Sequence, residues 1–507
     1  MRTLSYAVIC LCAAACVTER GPLANQMSRS GTRYLARAAS EPVSWQAWGR
    51  EAFTLAARLN RPILLFVGSE DCRWCGIMDR ETYADPVLGA LIDSLFVPVR
   101  VDRDQRPDVA QRYETAVELL TGLHGYPLTV FLTPDGSAFF GGTYFPYDDA
   151  LTGRGMKQIL PEVARSFAEQ RAFVLRQAAL VRQLGYTRTA AAHGVLEARA
   201  IGAQIAAVRA DLTAAIRSRL SLETGGYAQA APLLLAAWAR SGDTTDLAVA
   251  RAALDYIADS ASIRATDRDE PPDLVRAGML RNLAAGWASV GDRRYRDVAL
   301  RLLHELAEGL QSGDDPARFT DRRAFMIGSV LEASAALGDT ATARTGLAML
   351  DAMLARAYVK DQGVRHDMGT RIPGTRFLQD QVQVASACLA AYAATHTAPY
   401  FEVASDLAAI LDRDFADPLG GYFDASASDQ AAPVLADRTK ELADDLLPGA
   451  NPWAARVLLQ LADATGQAGY RRRAEATLEA FAGIAPAEGI RAATYLSVAQ
   501  AVLSPRR

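Results

Sequence analysis

Pro62-Ile63-Leu64-Leu65-Phe66-Val67-Gly68-Ser69-Glu70-Asp71-Cys72-Arg73-Trp74-Cys75 is the stretch on which the fold turns. Its first seven residues form a short apolar run that ends in glycine, the pattern of a buried strand. Helical text starts at Cys72, so the cysteine pair opens a helix directly after a strand. At that place free backbone N–H groups and the helix dipole favour an anion. A thiolate at Cys72 is therefore stabilised and its pKa falls, and Arg73 adds a positive charge beside it. Cys75 stands one turn further in, within reach to resolve a mixed disulfide. The expected roles are Cys72 as nucleophile and Cys75 as resolver. A lone Cys-x-x-Cys is a weak signal, because metal knuckles share it. Here no second Cys-x-x-Cys and no paired histidines accompany it, so a four-ligand zinc site lacks partners, and no metal or other cofactor is expected.

Working outward, Asp85-Pro86 reads as a cap and first-turn proline opening a helix to about Leu95. Phe96 to Val101 is a strand with apolar residues at alternate positions. Arg106-Pro107-Asp108 opens a helix to about Leu120. Leu128 to Leu132 is a strand, Pro134-Asp135-Gly136 a turn, and Ser137 to Phe140 the returning strand. A long helical stretch is expected from about Gly155 to Leu184. Strands alternating with helices and closing in a hairpin describe an α/β sandwich over residues 34–185, and the cysteine pair opening a helix after a strand makes it resemble a thioredoxin-like domain. In that fold a cis-proline before the third strand packs against the cysteine pair and presents backbone to an incoming peptide. Tyr126-Pro127 is the candidate, since cis bonds are nearly confined to X-Pro. Tyr126, Pro127, Arg73 and Trp74 are the expected substrate-docking residues. Thioredoxins keep a buried acid six residues before the first cysteine, and that position is Phe66 here. Proton transfer at Cys75 then needs another route, water or Glu70. Asp71 is expected to be solvated. His124 either faces the cysteines or is a loop histidine without a role.

The stretch from Glu41 to Pro146 resembles the thioredoxin-like domain of the family typified by spermatogenesis-associated protein 20. The matching pieces are Pro42-Val43-x-Trp45, Trp48-Gly49, Cys72-Arg73-Trp74-Cys75, Val101-Asp102-Arg103, Gly125-Tyr126-Pro127 and Phe140-Gly141-Gly142-Thr143-Tyr144-Phe145-Pro146. Arg73 replaces the histidine common in the family, and Tyr126 replaces its tryptophan. The resemblance implies that a helical toroid similar to the six-hairpin glycosidases follows.

After Tyr186 alanine and leucine dominate. Trp238-Ala239-Arg240-Ser241-Gly242-Asp243 is echoed at Trp287 to Asp292 and at Ser334 to Asp339, with worn copies at Tyr392 to His396 and Ala462 to Gly466. Each copy is a helix end, a stop and a new amphipathic helix. Repeats of this length signal stacked helical hairpins, which must pack as an array or ring. An all-α (α/α) toroid or solenoid is expected over residues 195–507. A ring-centred glycosidase would need two carboxylates about 5–10 Å apart. The candidates are Asp380, Asp437, Glu441, Asp444 and Asp445, set against the reading that they are caps or solvated. Arg438 and Lys440 are expected to pair with Asp444 and Asp445 or to bind an anion. Cys388, in an apolar helix, reads as core.

Met1-Arg2 followed by the apolar run Leu4 to Ala15 has the length of a signal peptide, too short to span a membrane. Ala13-Ala14-Ala15-Cys16 resembles a bacterial lipobox, with Cys16 the residue for lipidation; an ordinary signal peptide is the other reading. Residues 1–33 are expected to be leader and tether. The chain would then be exported, anchored to a membrane only through lipid on Cys16; a cytoplasmic protein is the alternative. Of 507 residues, 54 are basic and 58 acidic, and the net charge of −4 argues against nucleic acid as a partner. The leading expectation is a thiol–disulfide oxidoreductase, or redox-sensing protein, of the cell envelope. It would act on a protein client with a separate electron partner, its helical domain binding the client or a glycan. The alternatives are a carbohydrate-active enzyme with an accessory thioredoxin module, and a non-catalytic scaffold.

Overall fold

The computed structural model describes residues 23–149, 151–152, 154–190, 193–220, 222, 225–261, 272–311, 318–369, 375–426 and 438–504. The apolar start with Cys16 lies outside them, as does Asp437.

The first domain is a mixed sheet between two helical layers. Its elements are α1 (Arg33–Arg37), β1 (Gln46–Ala47), α2 (Arg50–Leu59), β2 (Ile63–Gly68), α3 (Arg73–Met78), α4 (Pro86–Leu95), β3 (Val97–Asp102), α5 (Pro107–Thr121), β4 (Leu128–Leu132), β5 (Ala138–Gly142), α6 (Met156–Glu169) and α7 (Arg171–Ala190). The strand order is β1-β3-β2-β4-β5. The first three strands run parallel, while β4 is antiparallel to β2 and β5 to β4. Along β2, Ile63, Leu65 and Val67 enter the core under α2, α5 and α7. Leu64 and Phe66 enter the opposite core, under α1, α3, α4 and α6. Burial on both faces is why this strand reads as a continuous apolar run rather than an alternating one.

Two details are added to the sequence reading and one expectation is corrected. Neither β1 nor α2 is legible in the sequence reading. The helical stretch expected from Gly155 to Leu184 is present and divides into α6 and α7, because Gln170 leaves helical dihedrals at φ −115° and ψ 30°. The tether expected up to Arg33 is packed structure from Leu23 onward. Met27 is buried, the Gln26 N–H donates to the Trp45 carbonyl at 2.8 Å, and Asn25 Nδ2 donates to the carbonyls of Ala38 (2.9 Å) and Val43 (3.0 Å). These polar side chains satisfy backbone groups of the segment leading into β1, so the segment cannot act as a free linker.

The second domain continues with α8 (Ala198–Arg217), α9 (Ala230–Ser241), α10 (Thr244–Ser260), α11 (Pro272–Val290), α12 (Arg293–Gln311), α13 (Thr320–Leu337) and α14 (Thr340–Ala357). A small hairpin of β6 (Tyr358–Val359) and β7 (Gly363–Val364) follows. The chain then forms α15 (Leu378–Thr395), α16 (Ala398–Ile410), α17 (Ala450–Thr465), α18 (Ala468–Glu479), α19 (Ala485–Glu488) and α20 (Ala493–Leu503). Helices α9, α11, α13, α15, α17 and α20 pack side by side as an inner layer, with α8, α10, α12, α14, α16 and α18 outside. The last helix, α20, packs on α8 and α9, which closes the array into a ring. Inner helices are apolar nearly all round, as a helix buried on every side must be.

The sequence repeat marks one end of this ring. Gly242, Gly291, Gly338 and Gly466 follow α9, α11, α13 and α17 in the left-handed conformation, with φ between 70° and 74°. His396 takes the same place after α15 at φ 53°. Tyrosines in the outer helices that follow two of these stops tie outer helices together. Tyr295 Oη donates to Asp255 at 3.0 Å, and Tyr400 Oη donates to Asp351 at 2.8 Å. At the opposite end lie the inner-helix N-termini and the longer connections, and there the first domain docks.

Candidate functional site

Helix α3 begins where β2 ends, and Cys72 is its N-cap. The Cys75 N–H donates to Cys72 Sγ at 3.1 Å. Cys72 and Cys75 are joined as a disulfide. Cys75 is fully buried and Cys72 nearly so, whereas Arg73 and Trp74 are exposed. The Trp74 ring lies 4.9 Å from that of Tyr144, so the aromatic segment after β5 extends the surface beside the cysteines. Phe139 instead packs on Phe167 of α6. Tyr126-Pro127 is cis. Tyr126 packs against the apolar cluster that holds both cysteines, and its Oη donates to Glu114 at 3.0 Å while Arg103 covers its ring at 4.6 Å.

Glu70 pairs with Arg37 at 2.9 Å on the surface. Asp71 is exposed. His124 is exposed too, with Glu118 as its nearest acid at 3.9 Å. Cys388 is buried, and burial pushes its thiol pKa far up, as for a core residue.

Beneath the cysteines lies an ionic cluster that sequence reading missed. Arg100 is fully buried on β3 and pairs with Asp79 (2.7 Å) and Glu41 (3.1 Å). Burial pushes Glu41 up to about 6 even though Arg100 opposes the shift. The available signal was an arginine within the alternation Val97, Val99, Val101. On a strand covered on both faces, the intervening positions are buried as well.

The turn after β3 carries the docking contacts. Asp104 forms an ion pair with Arg322 of α13. Burial would raise the Asp104 pKa, but Arg322 and Arg103 outweigh it and hold the carboxyl below its usual range. The Asp104 carbonyl accepts from His366 Nε2 at 2.7 Å, and His366 Nδ1 donates to Asp380 at 2.9 Å. Phe319 stacks on the imidazole at 4.7 Å and Phe377 meets it edge-on at 4.9 Å. Asp321, His366 and Asp380 offer metal-type ligand atoms within 4.8 Å of one another. Both imidazole nitrogens are nevertheless engaged by hydrogen bonds, and Asp380 also accepts from the Asp321 N–H at 2.9 Å. The arrangement is a hydrogen-bonded clasp between the domains.

Of the candidate ring carboxylates, Asp380 is held in the clasp and Asp444 by backbone donors. Asp444 accepts from the N–H groups of Gly449 (2.9 Å) and Thr494 (2.8 Å), and Glu441 donates its N–H to Asp424 at 2.9 Å. Asp445 is exposed. Lys440 pairs with Asp417 at 2.9 Å and Arg438 lies over Phe423 at 3.9 Å, so the expected pairing of these cations with Asp444 and Asp445 is corrected. Inside the ring, Arg281 and Arg456 converge on Glu332 at 2.6 and 3.3 Å, with both guanidinium groups over Trp453.

A cysteine pair capping a helix, a cis-proline before a central strand and this strand order define a thioredoxin-like domain, here seated on one end of an α/α ring. Residues 24–184 match the family model Thioredox_DsbH, described as a protein of unknown function, DUF255. Spermatogenesis-associated protein 20 of Rattus norvegicus is 39% identical over 148 residues, which cover 29% of this chain and 19% of that protein. The Homo sapiens protein is 39% identical over 147 residues, with the same shares. The chain thus spans about a fifth of the length of these curated relatives. The resemblance read from Glu41 to Pro146 therefore holds for the first domain. Among solved structures, the unsaturated glucuronyl hydrolase of Bacillus sp. GL1 is similar with a TM-score of 0.44 and 16% identity, over 55% of this chain and 83% of that one.

Proposed function

We propose that this protein is a thiol–disulfide oxidoreductase that acts on protein clients in the cell envelope. The observation that carries the reading is the Cys75 N–H donating to Cys72 Sγ at the start of α3. The same donor would hold a Cys72 thiolate once the pair is reduced, with the helix dipole adding to it. In the reduced state the Cys72 thiolate attacks a client disulfide. A mixed disulfide forms and one client sulfur leaves as thiolate. Cys75 then attacks Cys72 Sγ, its proton passes to the second departing client sulfur, and the Cys72–Cys75 disulfide remains. Two electrons have moved to the client, and an external dithiol returns the pair by the reverse steps. Trp74, Tyr144, Tyr126 and Pro127 supply the docking surface. The ring holds the turn after β3 in place and offers its rim to the client. The envelope location rests on the apolar run Leu4 to Ala15 and on Cys16, whose replacement by serine is expected to release the protein from the membrane fraction.

The test is a thiol titration of the native chain across defined glutathione ratios, with Cys72→Ser as control. Reversible interconversion of the pair is the expected result. A pair that reacts only after unfolding would sink the proposal.

A further inference from the structure

Gly68 ends β2 beside the cysteines, and two groups share the space that its missing side chain leaves. A Cβ at this position would collide with the Tyr34 hydroxyl and lie 2.9 Å from Cys75 Sγ. Tyr34 comes from α1 and is 1% exposed, and its hydroxyl has no hydrogen-bond partner among the described residues. A buried hydroxyl in that condition calls for an explanation. In the disulfide form Cys75 Sγ is a weak acceptor. After reduction it becomes a thiol and then a thiolate, and a hydrogen bond to a charged acceptor is among the strong ones.

Building on the oxidoreductase reading above, we propose that the Tyr34 hydroxyl is the hydrogen-bond donor to Cys75 sulfur in the reduced and resolving states, in a domain where the position six residues before Cys72 is Phe66 and not an acid. The surroundings suit a donor that keeps its own proton. Arg100 lies 4.5 Å from the Tyr34 ring centroid, and Glu41 and Asp79 hold it there. Burial drives the Tyr34 phenol well above its ordinary pKa; Arg100 draws it back, while Asp79, Asp102 and Glu41 push it further up. Asp102 stands opposite Gly68 in the β2–β3 ladder. In the resolving step Tyr34 stabilises negative charge on Cys75 as it attacks Cys72. The Cys75 proton still leaves on the client sulfur, so the balance of the reaction is unchanged.

The sign of the effect follows directly. Tyr34→Phe removes a hydrogen bond from the reduced form and only an unpaired hydroxyl from the disulfide form. In redox equilibrium with glutathione, the full-length variant is expected to shift about tenfold toward the disulfide, or about 30 mV lower in potential. Tyr83→Phe, a buried tyrosine on the same face, serves as control and is expected to keep the parent potential. If Tyr34→Phe titrates reversibly at the parent potential, the Tyr34 inference falls and the oxidoreductase reading stands. If the parent pair is inert, both fall. Should Tyr34→Phe fail to fold, 3-fluorotyrosine placed at position 34 keeps the hydroxyl. Its fluorine resonance is expected to move on reduction, and a resonance that stays put overturns the inference.

Discussion

Arg322, the third residue of α13, closes an ion pair on Asp104, two residues beyond the end of β3, with both side chains largely shielded from water. The pair joins the ring to the turn that leaves the central sheet of the thioredoxin-like domain. Removing one partner of a buried pair strands the other charge, at about 3 kcal/mol or more. Arg103 stays within 3.3 Å of Asp104 and offsets part of that loss. Arg322→Met is therefore expected to cost about 3 kcal/mol in denaturant unfolding, and adding Asp104→Asn should recover most of it. An additive double mutant would mean that the two residues do not act as a pair.

The clasp at His366 predicts a pH dependence. Burial alone would lower its pKa, but the Asp380 carboxylate, with Asp321 and the Asp104 carbonyl, outweighs that and raises it to about 9. The unfolded histidine titrates near 6.5. The folded state thus binds the extra proton between these values. Its stabilising share is fully present below about pH 6.5 and is lost as pH rises through 9. Unfolding free energy measured from pH 6 to pH 10 should fall over this window in the parent. His366→Gln should flatten that fall. An equal slope in both proteins would count against the clasp.

The split of roles between the cysteines predicts different products. Cys75→Ser leaves Cys72 able to attack but unable to be released, so mixed disulfides should accumulate on Cys72 when the protein meets an oxidised client. Cys72→Ser should accumulate none, because Cys75 is fully buried. Non-reducing electrophoresis followed by mass spectrometry of the adducts reads both outcomes. Equal trapping by the two variants would reverse or dissolve the assignment.

Local pattern carried much of this fold. β2, the helix opening at Cys72 and the cis bond at Tyr126-Pro127 each follow from residues within a few positions of one another. The ring was legible through its repeated helix stops. What could not be read depends on docking. Arg322 and Asp104 lie 218 residues apart, and nothing near either one signals the other. Tyr34 lay at the edge of what read as a tether, and its meeting with Cys75 depends on α1 packing across the end of β2. Asn25 and Gln26 read as polar linker because their backbone partners, from Ala38 to Trp45, lie in an irregular segment before β1 that has no period to show.

The five inner-helix stops provide a comparison within one molecule. Four are glycines and the fifth is His396, all in the left-handed region where a β-carbon is strained. Beyond its immediate chain neighbours, a Cβ at Gly338 or Gly466 would meet nothing within 4 Å, so Gly→Ala there tests backbone conformation with no added clash. Gly338→Ala should cost about 1 kcal/mol. His396 already carries that strain. It closes the cap with its N–H to the Tyr392 carbonyl at 2.7 Å, a bond any residue can make, and its ring meets Tyr392 edge-on at 5.9 Å. That partly exposed ring contact is weak, so relief of strain should win. His396→Gly is expected to stabilise the ring by up to about 1 kcal/mol, read as a higher denaturation midpoint at unchanged slope. A loss of stability on His396→Gly would show instead that the Tyr392 contact outweighs the backbone strain at this cap.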